Sequence, residues 1–222
     1  MADKTLRIAV VLSGNGVFDG AEIHETVCTL LAISRAGAEA VCFAPNIPQA
    51  HVVNHLTGEE ATETRNVLVE AARIARGKIG DLATFDAAAV DALIFPGGFG
   101  AAKNLCDFAF KGPDCTVNAD VEKAVRAMRA AGKPIGALCI APAILAKLLG
   151  DEGVELTIGS DAETAAALEK LGAKHTNTSH CEVVVDRNLK VVTSPCYMLD
   201  ASVAQIADGA ENAVRALIEL AR

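Results

Sequence analysis

Apolar positions along this chain alternate between two spacings. Residues 6–12 are a continuous apolar run of strand length, while from residue 21 to residue 35 Ile23, Val27, Leu30 and Leu31 recur at helical spacing, with Gly37 as a stop. Residues 40–44 form a second strand-like run, closed by Pro45 and Pro48. Strand, glycine-rich loop (13–20), helix and strand in quick succession make a βαβ unit, which predicts an α/β fold with a mostly parallel sheet and helices on both faces. Further on, 64–76 and 120–131 read as helices and 92–95 as a strand. Residues 155–158 read as a strand, 162–171 as a helix, and 183–193 as a hairpin turning at 186–188. Residues 201–220 read as a closing helix interrupted near Gly209. With no linker or internal repeat, 1–222 is expected to be one domain.

The most informative change of period lies in residues 133–147. A short buried-strand run, 135–138, gives way at Cys139 to helical spacing through Ile140, Ile144, Leu145 and Leu148, with Pro142 where the first helical turn begins. A thiol at such a corner faces backbone N–H groups and the positive end of a helix, the setting of a nucleophile elbow. A buried structural cysteine is the competing reading. The strand 92–95 runs into Pro96-Gly-Gly-Phe-Gly100, a backbone corner that suits glycine. If it is more than an ordinary loop, Gly97 and Gly98, with the amide of Ile140, are candidate donors to an oxyanion formed at Cys139. Glu22, just after the first loop, is the candidate proton carrier. Glu25, one turn on, reads as a solvated helix charge, and no histidine falls at a spacing that makes it the base of a Cys-His dyad.

Composition narrows the function. The net charge is −8 without a basic stripe, which argues against nucleic acid. No apolar run reaches the length of a membrane span, so no membrane role is expected. Seven cysteines without framework spacing point to reduced thiols and a cytoplasmic protein. No paired cysteine or histidine motif suggests a metal. Gly14-Asn-Gly16 follows the first strand, but Gly20 is one position too far for a dinucleotide fingerprint, so no cofactor is expected.

Three motifs together, Gly20-Ala-Glu-Ile-His24, Pro96-Gly-Gly-Phe-Gly100 and Pro134-Ile-Gly-Ala-Leu-Cys-Ile-Ala-Pro142, resemble the PfpI-type class I glutamine amidotransferase-like superfamily. More narrowly, Leu12-Ser-Gly-Asn-Gly-Val-Phe-Asp-Gly20, Asn54-His-Leu-Thr-Gly58, Glu63-Thr-Arg-Asn66 and Gly98-Phe-Gly-Ala-Ala-Lys-Asn-Leu105 resemble the ElbB-type, isoprenoid-biosynthesis-associated glyoxalases. The resemblance implies a flavodoxin-like three-layer sandwich with Cys139 at the elbow and Glu22 as the acid whose side chain meets the thiol. It implies a glutathione-independent, cofactor-independent glyoxalase of low activity acting on small reactive aldehydes, turning glyoxal into glycolate. It also implies a homodimer or higher homo-oligomer. The alternative is a redox-responsive or partner-binding protein whose Cys139 is oxidised without turnover.

Overall fold

The computed structural model describes residues 5–222. In chain order, β1 (Arg7–Val11) leads through the glycine loop to α1 (Ile23–Arg35), β2 (Glu39–Ala44), α2 (Val67–Ile74) and β3 (Ile79–Asp81). There follow β4 (Ala92–Phe95), the short α3 (Phe108–Lys111), α4 (Ala119–Ala130), β5 (Ile135–Leu138) and α5 (Pro142–Leu149). The remainder is β6 (Glu155–Leu156), α6 (Ala162–Lys170), β7 (Lys174–His175), β8 (Val184–Asp186), β9 (Val191–Ser194) and α7 (Val203–Ala221).

Seven strands form one sheet in the order β3-β2-β1-β4-β5-β9-β8, parallel except for the β8–β9 hairpin. The expected α/β class with a mostly parallel sheet is thus what the chain adopts. Alternation along β1 divides the core. Ile8, Val10 and Leu12 join the side chains of α1, α2 and α7, whereas Ala9 and Val11 join those of α4 and α5. Both faces are covered, which is why the strands read as unbroken apolar runs. The chain leaves β1 in one direction for β2 and β3, then returns to β4 and continues the other way. Strand order reverses between β1 and β4, and loops diverge there to leave a crevice at the carboxyl ends of the strands.

Several local readings needed correction. The helix expected from residue 64 starts at Val67, after Asn66 caps it by accepting the Val69 N–H at 3.1 Å. The run 155–158 shortens to β6, which pairs only with β7, outside the main sheet. No break occurs at Gly209: α7 is continuous, and the glycine lies against Ser194 and Cys181, where a bare backbone allows close packing. The largest departure is in α1. Its residues Ile23, Val27 and Leu31, expected to face inward, are 46%, 49% and 43% exposed, and the buried side is Glu25, Thr26, Thr29, Ala32 and Ile33. The helix packs closely against α7, and small side chains permit that approach. The inward face therefore carries a carboxyl group into the protein.

Candidate active site

Cys139 follows β5 with φ of +58°, a left-handed conformation that costs a non-glycine residue about 1–3 kcal/mol. Neighbouring bonds hold it: its N–H donates to Ser194 O at 3.0 Å, and the Ala141 N–H donates to Leu138 O at 2.9 Å. Pro142 then opens α5, where its missing N–H removes no helical bond. The strand-to-helix corner read from the sequence is therefore a strained elbow, and the thiol at its tip is 7% exposed.

Glu25 has no exposed surface. One carboxyl oxygen, Oε2, accepts the Gly97 N–H at 2.9 Å, and the other, Oε1, accepts the Tyr197 N–H at 3.0 Å. The Cys139 thiol lies against this carboxyl: the point a Cβ on Gly97 would occupy is 2.5 Å from Glu25 Oε2 and 2.9 Å from Cys139 Sγ. Burial pushes its pKa up to about 8, opposed by the Tyr197 N–H and reinforced by the charge of Glu22. Burial, then the charge of Glu25, pushes the Cys139 thiol well above the usual range, while the backbone N–H groups of Gly98 and Ile140 hydrogen-bond the sulfur and pull it down. At neutral pH the pair rests as carboxylic acid and thiol.

The residues singled out from the sequence converge here, with two exchanges of role. Glu22 lies beside the site, yet its side chain accepts the Glu25 N–H at 2.7 Å and so caps α1. The acid meeting the thiol is Glu25, because it lies one turn on along the inward face of α1. Gly97 is not a free donor either: its N–H is taken by Glu25, and its carbonyl accepts the Glu22 N–H at 2.9 Å. What Gly97 supplies is space, since a Cβ there would lie 2.2 Å from the Cys139 Cβ and 2.5 Å from Glu25 Oε2. Gly98, with φ of +95°, has Gly20 O and Glu22 N where a Cβ would fall, so the first loop and the β4 loop touch backbone to backbone. The backbone N–H groups of Gly98 and Ile140 lie beside the Cys139 sulfur and lower its pKa.

From the sequence Glu25 reads as a solvated helix charge, and Cys196 and Tyr197 have no place in the site. Cys196, just beyond β9, is one of three positive-φ cysteines with Cys139 and Cys181, and is buried close enough to feel Glu25 and Cys139; burial first, then those neighbours, push its thiol well up. Tyr197 lines the pocket above Cys139 and shares a 2.8 Å hydrogen bond between its hydroxyl and His24 Nδ1. The spacing of Glu25, Thr29 and Ile33 at four-residue intervals was the available signal for an inward polar face. The pocket, of about 360 Å³, is lined by Val17, Phe99, Tyr197 and Met198 among others, and no histidine is among its lining residues. Among the described residues no group of three His, Cys, Asp or Glu is placed to hold a metal ion, and no helix is long and apolar enough to cross a membrane. The arrangement brings together a thiol, a buried carboxyl group beside it, and the backbone amides of Gly98 and Ile140.

Comparison with known proteins sets this geometry in a family. Residues 15–200 match the DJ-1/PfpI family. The human mitochondrial glutamine amidotransferase-like class 1 domain-containing protein 3 is 51% identical over 96% of this chain and 83% of its own length. A rat ES1 protein homolog, also named mitochondrial, is 50% identical over 96% of this chain and 84% of its own. These names overturn the cytoplasmic expectation, which rested on reduced thiols and so identified a reducing compartment without choosing among such compartments. The crystal structure of an isoprenoid biosynthesis protein with an amidotransferase-like domain from Ehrlichia chaffeensis superposes with a TM-score of 0.92 at 35% identity, covering 98% of this chain and all (100%) of that one. A glyoxalase III from Candida albicans shares the fold with a TM-score of 0.60 at 15% identity, over 95% of this chain and 97% of its own. With a nucleophile elbow, an inward acid and a doubly covered parallel sheet in place, the chain belongs to the DJ-1/PfpI family.

Proposed function

We propose that this protein is a cysteine-dependent glyoxalase that converts glyoxal to glycolate without glutathione or a bound cofactor, in a mitochondrial setting. The observation that carries the reading is the placement of the buried Glu25 carboxyl against the Cys139 thiol: the point a Cβ on Gly97 would occupy lies 2.5 Å from Glu25 Oε2 and 2.9 Å from Cys139 Sγ, and each group shifts the pKa of the other. The ElbB-type relation is retained as the narrower one, supported by the high overlap with the Ehrlichia isoprenoid biosynthesis protein.

The Glu25–Cys139 pair first releases one proton to solvent; the sulfur then adds to one aldehyde carbon, and the oxygen that becomes negative accepts the Gly98 and Ile140 N–H groups and takes the remaining proton from Glu25, leaving a hemithioacetal and a Glu25 carboxylate. Glu25 removes the proton from that carbon and returns it to the neighbouring carbon through an enediol. The first carbon is thereby oxidised to a thioester and the second reduced to an alcohol, and water releases glycolate and the thiol. A carboxyl with a pKa of about 8 suits this two-way transfer, because giving and taking the proton are both accessible near neutrality. The burial that tunes Glu25 also keeps the resting thiol protonated, which limits the rate. It disfavours the alternative of a peroxide-sensing cysteine too, since oxidation begins from an accessible thiolate.

The test is glycolate formation from glyoxal by the wild type and by Cys139→Ala, Glu25→Gln and Glu22→Gln. Cys139→Ala is expected to abolish turnover and Glu25→Gln to lower it roughly 10²–10⁴-fold. Glu22→Gln retains a side-chain oxygen to accept the Glu25 N–H and is expected to fall less. A wild type that makes no glycolate, or a fully active Cys139→Ala, removes the proposal.

A further inference from the structure

Water must lose a proton when it cleaves a thioester on Cys139, and Glu25 is poorly placed to take it. Glu25 has no exposed surface, and its two carboxyl oxygens accept the Gly97 and Tyr197 N–H groups. The residues lining the pocket include no histidine, lysine, arginine or carboxylate. They include two hydroxyl side chains, Thr164 and Tyr197. The Tyr197 hydroxyl shares a 2.8 Å hydrogen bond with His24 Nδ1, and the two ring centroids are 5.9 Å apart. Tyr197 is half-buried in the pocket wall, whereas His24, on α1, is exposed. Both are tied to the acid: His24 precedes Glu25 on the helix, and the Tyr197 N–H donates to Glu25 Oε1 at 3.0 Å. A hydroxyl between a pocket and an exposed imidazole accepts a proton on one side as it gives up its own on the other. Burial, then the charges of Glu22 and Glu25, push the Tyr197 hydroxyl's pKa up, which keeps it a neutral carrier rather than a phenolate.

We propose that Tyr197 and His24 form the proton path for the hydrolytic half of the reaction. Tyr197 takes the proton of the attacking water, and His24 is the positioning residue that orients the tyrosine hydroxyl and draws its proton toward solvent. The inference rests on the glyoxalase reading and assigns its last step. The oxygen of water bonds to the thioester carbon while its proton passes to the Tyr197 oxygen, and the tyrosine's own proton passes to His24 Nδ1. The carbon–sulfur bond then breaks and the sulfur leaves as thiolate. The carboxyl proton of the glycolic acid so formed goes to the Glu25–Cys139 pair, which again holds one proton, as it did when the sulfur first attacked. The exposed imidazolium gives its proton to solvent, so one water enters and one proton leaves per glycolate, with no oxidant or reductant. A histidine thus takes part without lining the pocket, in place of a Cys-His dyad.

The experiment compares wild type, Tyr197→Phe and His24→Ala on glyoxal. It reads glycolate formation and, by mass spectrometry with peptide mapping, the fraction of chains carrying a hydroxylamine-sensitive acyl group on Cys139. Tyr197→Phe removes only a hydroxyl and His24 is exposed, so both variants are compatible with folding, verified by far-ultraviolet circular dichroism. Hydrolysis is expected to slow roughly 10²-fold in each, the low end of what a positioned acid–base group contributes. It then limits turnover, so kcat and KM fall together, kcat/KM holds, and most chains carry the acyl group during turnover. Imidazole in solution is expected to restore His24→Ala and not Tyr197→Phe, which lacks the hydroxyl it would act through. Wild-type kcat in both variants, a fall in kcat/KM with no acyl group on Cys139, or imidazole that fails to distinguish the two overturns the path and leaves the glyoxalase reading standing. No glycolate from the wild type removes both.

Discussion

Glu25→Gln separates the charge of the buried acid from its shape. In the folded protein the carboxyl titrates near 8, against 4.5 for a solvated glutamate. Between those values the folded state keeps a proton that the unfolded chain has released, so unfolding becomes easier as pH rises through the window. The contribution is fully present below about 4.5 and lost by about 8, and a gap of this size corresponds to about 5 kcal/mol. Glutamine does not titrate and shows no such loss. Its amide nitrogen cannot accept, however, so either the Gly97 or the Tyr197 N–H is left without its acceptor, at about 1–3 kcal/mol at every pH. The two effects oppose each other. At pH 5, where about 0.8 kcal/mol of the wild type's proton-linked stability is already lost, the variant is expected to be less stable by up to about 2 kcal/mol, and at pH 8.5 more stable by about 2–4 kcal/mol. Urea denaturation at pH 5, 6.5 and 8.5, with m-values compared to establish that the same surface is exposed, measures the crossing. Other titrating groups cancel in the difference. A stability difference constant across this range would refute the conclusion that Glu25 is protonated in the folded protein at neutral pH.

Three further outcomes follow from the same geometry. The kcat/KM for glyoxal is expected to rise with pH through about 8, because the Glu25–Cys139 pair must lose one of its two protons before the sulfur attacks; a flat profile from pH 6 to 9 would contradict it. Gly97→Ala is expected to abolish activity and destabilise by about 1–3 kcal/mol or more through collision with Cys139 and Glu25, whereas Gly37→Ala, with nothing within 4 Å of its new Cβ and only a φ of +71° to strain it, should cost about 1 kcal/mol and spare turnover. The exposed stripe Ile23, Val27 and Leu31 on α1 suits a second copy of the chain in the expected homodimer, so Val27→Asp should lower the sedimenting mass toward that of one chain; an unchanged mass would place the association elsewhere or remove it.

Much of the fold was legible because it depends on local order. The apolar runs of β1, β4 and β5, with the glycines that follow β1 and β4, establish a parallel sheet and its loops without reference to any distant residue. Cys139 was legible for the same reason, since a change from strand to helix spacing, with Pro142 just beyond, marks a corner from neighbours alone. Gly98 and Ile140 are adjacent in chain to features already recognised. Position along the chain was enough to bring these residues to the carboxyl ends of neighbouring strands.

The identity of the acid was not local. Hydrophobic spacing along α1 pointed Ile23, Val27 and Leu31 inward, and only the approach of α7 and the sheet decided that the small and polar face, with Glu25, is the buried one. Gly97 likewise looked equivalent to Gly98 until a carboxyl group from a helix 72 residues away took its N–H. The chain by itself determined that a thiol would stand at a strained corner ringed by glycines. Which carboxyl met it, and how far burial moved that carboxyl's proton affinity, was decided by tertiary packing, because desolvation and helix facing depend on everything that surrounds a residue rather than on the residues beside it in sequence.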